Sequence, residues 1–205
     1  MEINQIDDNI REKMLFIKKF CSDPRSIGSI APSSPYLTES ILSSVKWEKV
    51  RTAVEFGAGT GVFTTEIIKR IKCHTKLYVF EKEPELRRLL QVKTGLNIYS
   101  DAVDLSDILE SEGLKHVDLI ISSLPYTVLP KNITDKIING IIKHLDPKGS
   151  FIAYQYSLHM KESFENIFNN VNAKFVLLNF PPAFVYECTD IKDHIDPEER
   201  DDKNA

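Results

Sequence analysis

The chain has little cysteine, no long apolar run and no surplus of positive charge. Cys21, Cys73 and Cys188 lie far apart, with no Cys-x-x-Cys pair and no histidine at metal-ligand spacing. That argues against a disulfide framework and a zinc site, and favours a reducing cytoplasm. Apolar stretches such as Val117 to Ile121 are strand-length, well short of the roughly 20 residues a bilayer span needs. The first residues, "MEINQIDDNIREKM", carry acids and lack an apolar core, unlike a secretory signal. The formal net charge is −4; seven acids against three bases after Thr189 account for all of it, leaving residues 1 to 189 neutral. A grip on nucleic acid normally shows as a basic face, so nucleic acid is not expected as a partner, a local patch aside. No internal repeat or low-complexity tract occurs.

What is present fits one conventional domain: 205 residues, 42% hydrophobic and 27% charged, enough to bury a full core. Ile3, Ile6, Ile10, Met14, Ile17 and Phe20 or Cys21 repeat at helical spacing, predicting an amphipathic helix over residues 3–21. A Pro, Gly and Ser-rich loop follows, then a short helix from Tyr36 to Val45. From Arg51 onward apolar runs alternate with helical patterns: "RTAVEF", "KLYVFE", "LNIYS", "HVDLIIS" and "SFIAYQYS" each precede a helix, the last of them "MKESFENIFNN". "KFVLLNF" and "AFVYECT" close the series too near each other for a helix between them. The expectation is an α/β fold with a mostly parallel seven-stranded sheet, an antiparallel edge hairpin and an N-terminal helical extension. The segments would be residues 1–45 (helix and lid), 46–189 (the sheet domain) and 190–205 (an acidic, disordered tail).

"AVEFGAGTGVF" falls where the first strand meets the first helix of this series, at the carboxyl edge where open α/β sheets bind ligands. Gly57, Gly59 and Gly61 permit a tight turn. A dinucleotide fingerprint asks for Gly or Ala at position 62, which is Val. Glu55, two residues before the first glycine, repels phosphates but suits a cofactor presenting an ammonium group. Glu81 ends the second strand, where a carboxylate can accept ribose hydroxyls, and Asp101, with Ala102 beside it, ends the third, where an acceptor can meet adenine N6.

In these motifs, taken in order, residues 51–189 resemble the class I S-adenosylmethionine-dependent methyltransferases, a Rossmann-like fold. The resemblance implies S-adenosylmethionine as cofactor, held by Glu55, Gly57, Gly59, Gly61, Glu81, Asp101, Ala102 and Ser123.

The fourth strand of that fold ends opposite the glycine turn, here at Ser123-Leu124-Pro125-Tyr126. Methyl transfer requires a nucleophile positioned with its lone pair free. Ser123 Oγ, or the Ser123 or Leu124 carbonyl, can orient amine N–H bonds, and Pro125 fixes the turn. Tyr126 can lie against a cation, or else pack in the core behind a strand ended by Pro125. This makes Ser123, Leu124 and Tyr126 the candidate catalytic residues. S-L-P-Y is similar to the N-L-P-Y of ribosomal RNA adenine dimethyltransferases, with Ser123 replacing the asparagine.

A wider resemblance, over most of residues 10–189, is to soluble bacterial phospholipid N-methyltransferases. It rests on the N-terminal amphipathic helix, G-S-x-x-P-S-S at Gly28 to Ser34, S-x-L-P at Ser122 to Pro125, and N-x-P-P-A-x-V-Y at Asn179 to Tyr186. It differs at Tyr126, where leucine is commoner. The resemblance implies methylation of phosphatidylethanolamine or a related amino lipid at an anionic membrane surface, by a cytoplasmic, peripherally associated enzyme. Arg11, Lys13, Lys18 and Lys19 suit membrane docking; a lid packed on the sheet domain is the other use of that helix. Tyr36, Tyr126 and Tyr186 are candidate substrate-wall residues, and Tyr154 and Tyr156 are expected in the core. The histidines, at 74, 116, 144, 159 and 194, are expected at the surface, and no metal is expected. An RNA adenine N6-methyltransferase, a small-amine methyltransferase and a non-catalytic cofactor-binding module are the alternatives.

Overall fold

A computed structural model describes residues 33–179 and 181–192. The predicted helix 3–21, most of Gly28 to Ser34, His194 and nearly all of the acidic tail lie outside that range.

One sheet contains β1 (Thr52–Phe56), β2 (Lys76–Phe80), β3 (Ile98–Tyr99), β4 (Val117–Ser122), β5 (Leu145–Gln155), β6 (Phe168–Val176) and β7 (Ala183–Ile191). The order is β3-β2-β1-β4-β5-β7-β6. β1 to β5 run parallel, and β7 lies antiparallel between β5 and β6. The expected parallel sheet with an antiparallel edge pair is therefore the observed one. Between the strands run α1 (Pro35–Leu42), α2 (Val62–Arg70), α3 (Pro84–Thr94), α4 (Leu105–Ser111), α5 (Lys131–His144) and α6 (Lys161–Glu165).

Burial on both faces explains the near-continuous apolar strands. Along β1, Ala53 packs with Leu37, Ile41, Phe63 and Ile67 of α1 and α2, while Val54 and Phe56 join Leu105, Ile138, Ile141 and Phe164 from α4, α5 and α6 on the other face. Glu55 follows Ala53 onto the α2 side, an acid in an apolar layer. The chain passes from β1 to β2 on one side and later returns as β4 on the other. Strand order reverses there, and ligands of open α/β sheets bind at the carboxyl ends of strands beside such a switch.

Four details depart from the sequence expectation. α1 begins at Pro35, capped by Ser34 Oγ accepting from Leu37 N–H at 3.1 Å, and stops at Leu42. Leu37, Ile41 and Leu42 are fully buried, so this part of the 1–45 segment is built into the core. α6 is one short turn of helix, because β6 starts at Phe168, six residues before "KFVLLNF". Its run of asparagines hides the strand, which is tolerated because, among the described residues, β6 is the sheet edge and pairs with β7 alone. β7 runs on to Ile191, past the expected tail boundary.

His144 is the fourth departure: it is buried, not at the surface. As the last residue of α5 it faces α4, with Nδ1 3.0 Å from the Lys115 carbonyl and Nε2 3.1 Å from Ser106 Oγ. A carbonyl only accepts, so Nδ1 carries the proton and Nε2 accepts from the serine. Burial lowers the pKa of the ring and keeps it neutral. His74, His116 and His159 are exposed as expected.

Candidate active site

Beyond β1 the chain turns through Gly57, Gly59 and Gly61 at φ +73°, +56° and +80°. The turn spends its amides internally. Gly57 and Ala58 N–H both donate to the Phe80 carbonyl, at 2.9 and 3.1 Å, and Gly61 N–H donates to the Ala58 carbonyl at 2.9 Å. Gly59 N–H donates to Glu81 Oε2 at 2.6 Å. A phosphate cradle needs such N–H groups aimed outward; these four are not. The geometry agrees with Val62 and Glu55 in disfavouring a pyrophosphate.

The turn rests on the end of β4. A Cβ added to Gly57 would lie 3.3 Å from Leu124 Cδ2 and 3.6 Å from Ser123 Cβ, and Ser123 N–H donates to the Phe56 carbonyl at 2.9 Å. The glycine turn and the Ser123 segment, read separately in the sequence, are thus locked side by side. Above Gly59 there is open space, with no atom within 4 Å of an added Cβ, whereas a Cβ on Gly61 would meet Leu90 Cδ1 at 2.3 Å.

Buried oxygens without partners gather at this strand edge: both carboxyl oxygens of Glu55, Thr64 Oγ1 and Ser123 Oγ. Buried polar groups normally find partners, so this concentration marks a place prepared for a ligand. Glu55 is fully buried, and its pKa is pushed up to about 8, chiefly by burial, with the Glu81 charge adding to the rise. The nearby Thr64 hydroxyl opposes the shift, although it does not meet the carboxyl in hydrogen-bond geometry. A cationic group would relieve both the charge and the missing hydrogen bonds.

Glu81, nearly buried just past β2, is held by Gly59 N–H on one oxygen and by Glu83 N–H at 2.8 Å on the other. Burial raises its pKa against those two bonds. Each carboxyl oxygen has a further lone pair for a hydroxyl donor. Asp101, just past β3, accepts from Val103 N–H at 3.3 Å and pairs with Lys82 Nζ at 3.2 Å. Ala102 is buried beside it in the core.

The remaining candidates separate. Leu124 was expected to offer its carbonyl, but that oxygen already accepts from Tyr126 N–H at 3.0 Å and from Gln155 Nε2–H at 2.8 Å. Both its lone pairs are used. Tyr126 is buried in the core rather than beside the glycine turn: its hydroxyl bonds Ser122 Oγ at 2.8 Å and its ring meets Phe164 edge-on. Burial pushes its phenol pKa well up. Tyr186 is also fully buried, donating to the Ser157 carbonyl at 3.0 Å. Side-chain alternation along β7 turns it inward, so neither tyrosine walls an open cleft. Tyr36 alone of the three is exposed. Tyr154 packs in the core against Phe63, with Tyr156 edge-on to it.

Tyr126→Phe tests the core role. Losing one buried hydrogen bond should cost about 1 kcal/mol in denaturant unfolding, with cofactor affinity unchanged by calorimetry. A large loss of affinity at unchanged stability would return Tyr126 to the site.

Gln155 escaped sequence reasoning, and Asn179 was read there only as the first residue of a motif. Gln155 ends β5, buried, and ties the Leu124 and Tyr154 carbonyls together. A lone amide closing the apolar run "SFIAY" at a strand's carboxyl end was its signal. Asn179 Oδ1 accepts from Ser34 N–H at 3.0 Å, and its Nδ2 donates to the Pro181 carbonyl. It joins the ends of two motifs 145 residues apart.

S-adenosylmethionine combines an ammonium group, a ribose diol and an adenine. The orphaned Glu55 carboxyl, Glu81 and Asp101, at successive strand ends, suit those three parts in order, with the space over Gly59 to admit them. The pattern of the methyltransferase small domain family matches residues 33–177. Over 190 residues the chain is 31% identical to an ornithine lipid N-methyltransferase of Singulisphaera acidiphila, covering 90% of this chain and 99% of that protein. Among solved structures, a precorrin-6y C5,15-methyltransferase of Geobacter metallireducens aligns with TM-score 0.59 and 11% identity, covering 75% of this chain and 87% of that one. The N-methyltransferase NodS of Bradyrhizobium japonicum, in complex with S-adenosylhomocysteine, aligns with TM-score 0.57 and 16% identity, covering 77% and 88%. At those identities the solved structures speak for the fold alone. Family pattern, strand order and the unsatisfied groups at the β1 and β4 ends converge: the chain belongs to the methyltransferase small domain family and is a class I S-adenosylmethionine-dependent methyltransferase.

Proposed function

We propose that this enzyme methylates the amine of a lipid head group, phosphatidylethanolamine or a related amino lipid, at a membrane surface. The observation that carries the reading is the near full-length likeness to a protein named for N-methylation of ornithine lipid. Residues 3–21 support the membrane part, with an apolar stripe and Arg11, Lys13, Lys18 and Lys19 in their second half.

S-adenosylmethionine supplies a methyl group on positively charged sulfur, already activated for displacement. Glu55 would hold the cofactor's ammonium, the open space at Gly59 would admit its backbone while Gly57 and Gly61 shape the turn, and Glu81 would take the ribose. Asp101, which pairs with Lys82 in the cofactor-free chain, and the Ala102 backbone would meet the adenine. The chain's remaining task is to present a neutral nitrogen, because an ammonium ion has no lone pair. Ser123 Oγ accepts an N–H of the incoming amine and aims its lone pair across the Gly57 contact. Gln155 keeps the Leu124 carbonyl occupied, which leaves Ser123 as the acceptor of this segment.

Ser123→Ala separates this role from a structural one. Removing a buried hydroxyl that has no partner should leave cofactor-free stability unchanged or raise it by about 1 kcal/mol. Turnover should fall about tenfold or more at unchanged cofactor affinity. Wild-type turnover in this variant would remove Ser123 from the chemistry. The function itself is tested by incubating the enzyme and methyl-labelled cofactor with amino-lipid vesicles, total RNA and a small-amine panel. Label should enter the lipid fraction; label in RNA or in a small amine instead would overturn the reading.

A further inference from the structure

Six large apolar side chains stand exposed on the segments that follow the carboxyl ends of β4 and β5, at the β6–β7 turn and at the start of α1: Val128, Leu158, Phe175, Leu177, Leu178 and Tyr36. The register brings these segments to one edge. Gln155, the last residue of β5, pairs with Phe184 near the start of β7, and Val176, the last of β6, pairs with Ala183. The β6–β7 turn therefore projects on the side where β4 delivers Ser123, and the Ser34–Asn179 hydrogen bond fastens the start of α1 beside it. Leu177 and Leu178, at its tip, are 67% and 60% exposed.

Charge divides the same edge. In a chain with 30 acids, residues 119–134, 147–161 and 166–186 contain none and carry Lys131, Lys148, Lys161 and Lys174, of which Lys131 and Lys161 pair with acids just beyond them. The β1 to β3 half of the edge instead carries Glu55, Glu81, Glu83, Glu85 and Asp101. One half suits a cationic cofactor; the other is mainly apolar, with Asp135 and Glu165 engaged by Lys131 and Lys161.

We propose that the β4 to β7 half of this edge is a membrane-docking face, on which Leu177 and Leu178 enter the headgroup layer of an anionic bilayer. This rests on the amino-lipid reading above and deepens it, because an amine that never leaves the membrane must be met at the surface. Shallow insertion suits the fold: among the described residues no helix is long and apolar enough to cross a membrane. Apolar side chains buried at the headgroup boundary and bases drawn to anionic lipid are the two terms that hold a peripheral protein there. With Lys131 and Lys161 paired to Asp135 and Glu165, the apolar side chains carry most of the docking and the lysines a smaller part.

The test uses the full chain and sedimentation with vesicles of phosphatidylglycerol and phosphatidylethanolamine. The double substitution Leu177→Glu with Leu178→Glu should lower partitioning at least about tenfold, as expected when two inserted leucines become carboxylates. Val92→Glu, at a still more exposed position on α3, should change it less than about twofold. Transfer to a short-chain, water-soluble amino lipid should be the same in all three proteins. Unchanged partitioning of the double variant, or an equal loss with Val92→Glu, would overturn the proposal. So would a wild-type dimer that the double variant splits to monomers, since the face would then hold a second copy of the chain. Loss of partitioning with no amino lipid methylated in any form would leave the docking face standing and sink the head-group reading.

Discussion

Glu55→Gln should make the cofactor-free protein more stable at pH 8 while weakening its hold on S-adenosylmethionine. The Glu55 carboxyl is fully buried without a hydrogen-bond partner, and its pKa lies at about 8 in the folded chain against 4.5 for the ordinary group. Between those values the folded state binds more protons than the unfolded one, so stability falls as pH rises. The slope approaches about 1.4 kcal/mol per pH unit and flattens above pH 8, where both states are ionised. Below pH 4.5 both states are protonated and the group adds no pH dependence. Glutamine cannot ionise, so the wild-type-minus-variant difference in denaturant unfolding should grow across this window. Cofactor binding should run the other way. A cation beside Glu55 favours its ionised form, so wild-type affinity should rise with pH towards 8 and binding at pH 7 should release a proton. The variant should bind about ten- to a hundredfold more weakly, with no proton release. Equal affinity and equal proton release in the two proteins would mean that the ammonium lies elsewhere.

Two neighbouring glycines should fail in different ways. Gly59→Val places a side chain in open space at φ +56°. The fold then bears mainly the left-handed strain of a side chain there, about 1–2 kcal/mol, while the space for the cofactor closes and affinity should drop a hundredfold or more. Gly61→Val adds to similar strain a collision with Leu90 Cδ1, 2.3 Å from the new Cβ. Together these should cost about 3–5 kcal/mol in unfolding, enough to lower the melting temperature sharply. A Gly59→Val protein with wild-type affinity would remove the cofactor from this turn.

How much of this was legible in the sequence depended on whether a residue's fate was decided locally. β1, β2 and β4 are short apolar runs bounded by turn residues, and their burial on both faces left little room for another reading. The placement of the three glycines and of the acids at 55, 81 and 101 was legible because each lies within a few residues of the carboxyl end of a strand. β6 was misplaced because "NNVNAK" is polar and only its edge pairing with β7 makes it a strand. Tyr126 looked functional from its position after Ser-Leu-Pro. Its fate was set by Phe164, 38 residues on, and by a Ser122 hydroxyl that faces the same layer. Gln155 and the saturation of the Leu124 carbonyl belong to a contact between β4 and β5 that no local pattern announces. The burial of His144 likewise depends on Ser106 and Lys115 arriving from other elements.

The amine of a lipid head group as methyl acceptor is the claim on which the rest converges. It is tested most directly by tandem mass spectrometry of amino lipids recovered after incubation with the full chain and S-adenosylmethionine carrying a deuterated methyl group. One or more deuteromethyl groups should appear on the head-group nitrogen and none elsewhere in the lipid. Label on a lipid oxygen, or an unlabelled lipid pool beside labelled RNA, would contradict it.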